Sequence, residues 1–82
     1  MGEIVRLPSQ LGAIIQSERQ RRNLTQKDLA SLAGTLQKTI SAIENGNPGT
    51  RLDTLRSVIA HLGLDIELVP RAAAKASIED IF

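Results

Sequence analysis

Side chains able to form paired hydrogen bonds stand close together near the middle of the chain. Gln37 and Lys38 are adjacent, and Thr39 and Ser41 follow within the next turn of a helix. A glutamine amide can pair with adenine through two hydrogen bonds, and a lysine ammonium can donate to the O6 and N7 atoms of guanine. This pattern indicates recognition of nucleic-acid base edges, provided that a helix presents these side chains on one exposed face.

Residues that carry enzyme chemistry are few. The 82 residues include one histidine, His61, and no cysteine, so neither a histidine cluster nor thiolates can bind a metal. No nucleophile motif accompanies His61, which we expect at a helix surface or a dimer edge. No glycine-rich loop follows a predicted strand, as a nucleotide phosphate site would require. The sequence therefore predicts a non-enzymatic protein without catalytic residues, metal or cofactor.

Composition narrows the class of nucleic acid. The chain has no Trp, no Tyr and a single Phe, the terminal Phe82. Because RNA and single strands are bound largely by stacking of bases on aromatic rings, we expect duplex DNA as the partner and no RNA.

One small domain of this length buries only about 60–65% of its unfolded surface. With no disulfide or metal to stabilise it, a second protein chain is the expected supplement.

The distribution of charge and hydropathy along the chain bears on its partner and its location. Residues 9–63 carry a net charge of +3 and residues 64–82 a net charge of −2. A basic body suits an anionic partner, although ordinary scatter of surface charge would give the same difference. No apolar run approaches the roughly 18 residues of a membrane helix, and residues 1–8 lack an apolar secretory segment. We therefore expect a cytoplasmic protein that makes no membrane contact.

Apolar spacing predicts four short helices, so the fold class is mainly all-α. The first covers 9–22 and begins at Ser9 as N-cap. The second covers 25–33, where Thr25 and Asp28 form a capping box.

The third and fourth predicted helices follow at once. The third covers 36–45, with an inner stripe of Leu36, Ile40 and Ile43. After a loop over 46–49, the fourth runs to Leu62 and begins with a capping box of Thr50 and Asp53. Its predicted inner face comprises Leu52, Leu55, Val58, Ile59 and Leu62.

The second and third helices together satisfy the requirements of a helix-turn-helix. Ala30 is small where the two helices would cross, and Gly34 permits a left-handed turn. Ile40 and Ile43 lie on the inner face of the second helix of the pair. In such a motif, the N-terminal residues of that second helix contact base edges in the major groove of duplex DNA.

The predicted DNA contacts fall into two groups. Gln37, Lys38 and their neighbours would meet base edges, and residues at the starts of two other helices would hold phosphates. The alternative for each side chain is an ordinary solvated surface. The predicted DNA-binding residues are Gln26, Gln37, Lys38, Thr39, Ser41, Asn45, Thr50 and Arg51.

A strict alternation of apolar and polar residues predicts one strand over 64–70. Leu64, Ile66 and Leu68 would form its apolar face and the dimerisation surface. A lone strand cannot satisfy its backbone groups, so its mate is either the N-terminal segment or the same strand of a second chain. The predicted organisation is an arm or short strand over 1–8, a helix-turn-helix domain over 9–63, the strand over 64–70 and a flexible tail over 71–82.

Residues 24–30, Gly34 and residues 39–46 resemble the phage repressor or Cro-type helix-turn-helix proteins, the XRE family. The resemblance extends over roughly residues 11–62. It implies a compact bundle of four or five helices that binds operator DNA as a homodimer. It also implies an ion pair between Arg19 and Glu44, which would offset the unfavourable position of Glu44 at a helix C-terminus.

The segments Leu7–Leu11, Thr50–Leu55 and Leu64–Val69 narrow the resemblance to HipB-type antitoxins. That resemblance implies a strand that pairs across the dimer, a HipA-type serine/threonine kinase toxin as partner, and repression of the shared operon. Two alternatives stay open. One is a stand-alone XRE regulator without a toxin, and the other is a protein-interaction module that neutralises a partner with little DNA binding.

Overall fold

The computed structural model describes residues 2–47 and 49–71, and this part of the chain contains four helices and no strand. The all-α fold class is therefore confirmed, and the predicted boundaries differ from the observed ones by one or two residues. No helix in the described part is both long and apolar enough to cross a membrane. Residues 72–82 of the predicted tail lie outside the described residues. The helices are α1 (Pro8–Arg21), α2 (Gln26–Ala33), α3 (Gln37–Glu44) and α4 (Leu52–His61).

The hydrophobic core draws on all four helices. Helix α2 packs against both α3 and α4, and α1 packs against α3. Each fully buried Val, Leu or Ile contributes about 1.5–3 kcal/mol. Because Ile40 and Ile43 anchor α3 to this core, the opposite face of α3 is directed outward. The core residues are Ile15, Leu29, Ala30, Ile40, Ile43, Val58, Ile59 and Leu62.

Helices α1 and α3 approach closely at Gly12. A Cβ atom on Gly12 would lie 2.4 Å from the carbonyl oxygen of Ile43 and 2.6 Å from that of Glu44. The sequence analysis assigned close helix approach to Ala30 alone and missed Gly12. The available signal was a glycine inside a regular helical pattern, which costs stability unless close packing requires it.

The predicted N- and C-terminal caps of α2 are confirmed. The Thr25 hydroxyl accepts a hydrogen bond from the Asp28 backbone N–H at 2.9 Å, and the Asp28 carboxylate accepts one from the Thr25 backbone N–H at 3.0 Å. The bond from the Thr25 backbone lowers the pKa of Asp28. Gly34 ends the helix in the left-handed conformation, with φ of 72°.

The predicted start of α1 is wrong. The N-cap is Leu7 rather than Ser9, because Pro8 has a backbone φ already suited to the first helical position. The Gln10 side-chain oxygen accepts hydrogen bonds from the backbone N–H groups of Arg6 at 2.6 Å and Leu7 at 2.9 Å. Gln10 thus accepts from backbone donors that precede the helix.

The predicted capping box of α4 is also wrong. The N-cap is Arg51, and its side chain makes no capping hydrogen bond. The Asp53 carboxylate instead accepts from the Thr54 backbone N–H at 2.8 Å and from the Arg51 guanidinium at 3.0 Å. Because the helix begins one residue later than predicted, Thr50 is left outside it.

Leu36 and Leu52, both predicted to be buried, are exposed, and so is Leu32 on α2. Leu32 is 52% exposed, Leu36 62% and Leu52 69%. Leu36 is the N-cap of α3 and has extended backbone angles, φ −100° and ψ 150°, so helical spacing does not carry its side chain to the core. Leu52 is the first residue of α4 and borders an open groove at the surface.

Residues 64–70 form neither helix nor strand within the single chain. Leu64 packs against the core, whereas Ile66, Leu68 and Val69 are exposed. This segment and residues 2–6 line an open groove of about 610 Å³ over α1 and α4, which we call the apolar groove. The pairing with the N-terminal segment, one of the two predicted mates, is not formed in the part that the structure describes.

Candidate nucleic-acid interface

Helix α3 carries its polar side chains on the face directed away from the core. Gln37 and Lys38 are exposed, and Thr39 and Ser41 are half-buried. The opposite face of the helix packs on the core through Ile40 and Ile43, so these side chains occupy defined positions. That arrangement is the one in which a helix can enter the major groove and present side chains to base edges.

A groove of about 480 Å³ runs between α3 and the chain that leads into α4, and we call it the polar groove because most of its lining residues are of polar types. It brings together four residues that the sequence predicted as DNA contacts: Lys38, Thr39, Thr50 and Arg51. Other residues of the same surface were not in the predicted set of DNA-binding residues. The additional lining residues are Thr35, Ala42, Asn47, Gly49 and Thr54.

A side-chain hydrogen bond links two residues beside this polar groove. The Asn47 Oδ1 atom accepts a hydrogen bond from the Gly49 backbone N–H at 2.9 Å. An asparagine that bonds the backbone two residues ahead mimics a turn, so this contact could have been predicted from the Asn and Gly of the loop.

Two positive charges border the polar groove. The Lys38 side chain is exposed, and Arg51 makes an ion pair with Asp53 at 3.0 Å. The side chains of Arg51 and Asp53 are 81% and 67% exposed. Because such a solvated pair contributes only about 0–1 kcal/mol, Arg51 can exchange Asp53 for a phosphate at little cost.

A buried ion pair joins the C-terminal end of α3 to α1. The Arg19 guanidinium donates from Nε to Glu44 Oε2 at 2.6 Å and from Nη2 to Oε1 at 3.1 Å. The two side chains are only 10% and 3% exposed. Arg19 also donates to the Leu24 carbonyl oxygen at 2.7 Å, and its hydrogen bonds to Glu44 raise its pKa.

Gln26 belongs to this buried network. Its Nε2 atom donates to Glu44 Oε1 at 3.0 Å, and the residue is half-buried and does not line the polar groove. The sequence predicted a phosphate contact for Gln26. The hydrogen bond to Glu44 leaves one N–H of its amide for such a contact.

The remaining predicted positions lie around the polar groove or away from it. Gln37 and Asn45 are exposed and Ser41 is half-buried, and none of the three lines the groove. His61 is exposed on α4, and its Nδ1 atom lies 2.8 Å from the Ser57 carbonyl oxygen, to which it donates. His61 is therefore held against its own helix.

The core-anchored helix pair, the glycine turn and the outward polar face of α3 define a helix-turn-helix protein of the kind that regulates transcription. The family model described as helix-turn-helix matches residues 15–69, and the chain belongs to this family, in its XRE type. It is a transcriptional regulator of that type, and its structural neighbours include HipB in complexes.

Three known proteins are similar to this chain in sequence or in structure. An HTH-type transcriptional regulator of Sinorhizobium fredii is 29% identical over 69 residues, which are 84% of this chain and 91% of that protein. A chain in the HipA–HipB–O2–O3 complex is 32% identical, with a TM-score of 0.76, covering 83% of this chain and 96% of that one. The clp gene regulator ClgR of Corynebacterium glutamicum is 28% identical, with a TM-score of 0.66, covering 94% of this chain and 87% of ClgR.

Proposed function

We propose that this chain is a sequence-specific repressor that binds operator DNA as a homodimer in the cytoplasm. We further propose that it is the antitoxin of a HipA-type serine/threonine kinase toxin. The observation that carries the proposal is the outward face of α3, where exposed Lys38 adjoins the polar groove bordered by Arg51. In this proposal, residues 9–63 bind DNA and residues 64–70 form the dimer interface.

The two sides of the polar groove suit two kinds of contact. On α3, Gln37 and Lys38 would read base edges in the major groove. On the opposite side, Thr50 offers a hydroxyl and Arg51 a guanidinium, which are groups that hold phosphates. Contacts of the first kind select a sequence, and contacts of the second kind hold the protein in register on any duplex.

Replacing Lys38 by Ala tests the base-reading role. We expect a loss of about 1–3 kcal/mol in operator binding and a relaxed preference at one base pair. The measurement is a fluorescence-anisotropy series with the selected operator and its single-base-pair variants. Unchanged affinity and unchanged sequence preference would contradict the role of Lys38, and would favour a protein-interaction module with little DNA binding.

The matched variant is Arg51→Ala on the opposite side of the same groove. We expect it to weaken binding to all duplexes alike and to reduce the slope of log K against log salt by about one. Both side chains are exposed, so neither variant is expected to disturb the fold. A loss confined to one sequence would show that Arg51 reads a base instead.

The dimer is supported by the apolar groove that the single chain leaves open. Ile4, Ile66 and Leu68 are 56%, 51% and 92% exposed at or beside this groove, although they are large apolar side chains. Contiguous exposed apolar surface of this kind usually marks an interaction site. A second copy of residues 64–70 would supply both apolar cover and the missing backbone hydrogen-bond partners.

Ile66→Asp tests this interface. We expect dimerisation to weaken on the order of 100-fold, because an unpaired carboxylate would have to be buried. Sedimentation velocity measures the change, with Leu32→Asp as control, since Leu32 is a comparably exposed apolar residue that does not line the apolar groove. A dimer that persists in the Ile66 variant would locate the interface elsewhere.

The antitoxin role is supported by the resemblance to HipB, which is found together with HipA in the similar complex. The test is to co-express this chain with a serine/threonine kinase encoded beside its gene. We expect the two proteins to co-purify and the kinase activity to fall. The absence of such a neighbouring gene, or a kinase that neither binds nor responds, would favour a stand-alone XRE regulator.

A further inference from the structure

Leu36 has an unusual position at the start of α3. It is the N-cap residue, it makes no side-chain capping bond, and its side chain is 62% exposed. Ser, Thr, Asp and Asn are preferred at an N-cap because their side-chain oxygens accept a free backbone N–H. The preceding helix α2 has such a cap in Thr25. A leucine at the start of α3 therefore forgoes the capping bond and leaves a large apolar side chain in water.

The backbone of Leu36 is nevertheless well held. Its carbonyl oxygen accepts hydrogen bonds from the backbone N–H groups of Thr39 at 2.9 Å and Ile40 at 3.2 Å. Its neighbours in the chain are Thr35, which lines the polar groove, and Gln37, which is exposed on α3. The backbone of Leu36 is thus fixed at the N-terminal end of α3, the end that approaches base edges when a recognition helix enters the major groove.

The chemistry of the major groove offers one apolar target. Among the base edges there, hydrogen-bond donors and acceptors predominate, and thymine alone adds a C5-methyl group. We propose that Leu36 reads a thymine methyl group and so adds a thymine preference beside the bases read by Gln37 and Lys38. This inference rests on the proposed function, and it assigns a base type to an otherwise unexplained exposed leucine.

The experiment compares duplexes that contain thymidine or deoxyuridine at one position, two nucleosides that differ only by the C5-methyl group of the base. A duplex is first selected from a random library with the full-length wild-type chain. Each thymine of that duplex is then replaced in turn by deoxyuridine. For the wild-type chain, we expect one position in each half-site at which removing the methyl weakens binding about three- to tenfold.

Three variants test whether Leu36 is the residue that senses the methyl group. Leu36→Ala is expected to bind the thymine duplex about three- to tenfold more weakly and to lose the distinction between thymine and deoxyuridine. Leu36→Met keeps an apolar side chain of similar volume and is expected to keep the distinction. Leu32→Ala is the matched control, an exposed leucine on α2 that is expected to behave like the wild type.

Three results would overturn the inference. The first is a wild-type chain that binds every deoxyuridine duplex as tightly as the thymine duplex. The second is a Leu36→Ala variant that still distinguishes the two bases as strongly as the wild type. The third is a variant with unchanged DNA affinity but weakened binding of the co-expressed kinase, which would make Leu36 a protein contact. Failure to select any sequence would instead refute the proposed function, and the inference with it.

Discussion

Replacing Arg19 by methionine is expected to destabilise the domain by about 3–5 kcal/mol, because it leaves the Glu44 carboxylate buried without its cationic partner. Methionine preserves most of the apolar volume of the arginine stem, so the loss reports the ion pair rather than a cavity. Glu44 would retain one hydrogen bond, from Gln26. For a domain of this length, total stability is about 4–12 kcal/mol, so a substantial fraction of the variant would be unfolded at 37 °C.

Urea unfolding followed by circular dichroism measures this effect, and two further variants interpret it. The double variant Arg19→Met/Glu44→Met removes both charges, so we expect it to recover most of the lost stability. Arg22→Met is the control: Arg22 lies on the surface, 3.8 Å from Glu18, and its loss is expected to cost less than about 1 kcal/mol. A single Arg19 variant within 1 kcal/mol of the wild type would refute the assigned role of the pair.

Gly12→Ala is expected to destabilise the domain by about 3 kcal/mol, the opposite of the usual result inside a helix. Replacing a mid-helix glycine by alanine normally stabilises by about 0.5–1 kcal/mol. Here the new Cβ atom would lie 2.4 Å from the Ile43 carbonyl oxygen and 2.6 Å from that of Glu44. Both contacts are with backbone atoms, so relief requires that α1 and α3 move apart.

The same unfolding measurement, with a matched surface substitution, checks this prediction. Ser17→Ala lies on the exposed side of α1 and is expected to stabilise slightly, by less than about 0.5 kcal/mol. Because separation of α1 from α3 also displaces the recognition helix, the folded fraction of Gly12→Ala is expected to bind operator DNA more weakly. A variant as stable as the wild type would show that the two helices can separate at no cost.

Much of the fold was predictable because its signals are local. The core isoleucines of α3 follow from helical spacing, and the ends of α2 follow from the chemistry of Thr25, Asp28 and Gly34. Each of these depends on residues within a few positions of one another. The positions of Lys38 and Arg51 beside a common groove also follow from the helix-turn-helix arrangement once the helices are located.

The features that could not be predicted depend on contacts between distant residues or on backbone angles at helix ends. Gly12 is explained only by the backbone of residues 43 and 44, more than 30 positions away. Gln26 belongs to a network with Glu44, which spacing within α2 does not reveal. Leu36 was assigned to the core because helical spacing was extended by one residue beyond the first helical position.

The packing order of the helices has a consequence for folding kinetics. The helices that pack together are either consecutive or separated by one other helix: α2 packs on α3 and α4, and α1 packs on α3. All-helical domains, in which most contacts are local, fold in microseconds to milliseconds. Synthesis proceeds at about 5–20 residues per second, so the folding of each completed domain is effectively immediate on the timescale of translation. The supply of folded chains therefore follows the rate of their synthesis without a folding delay.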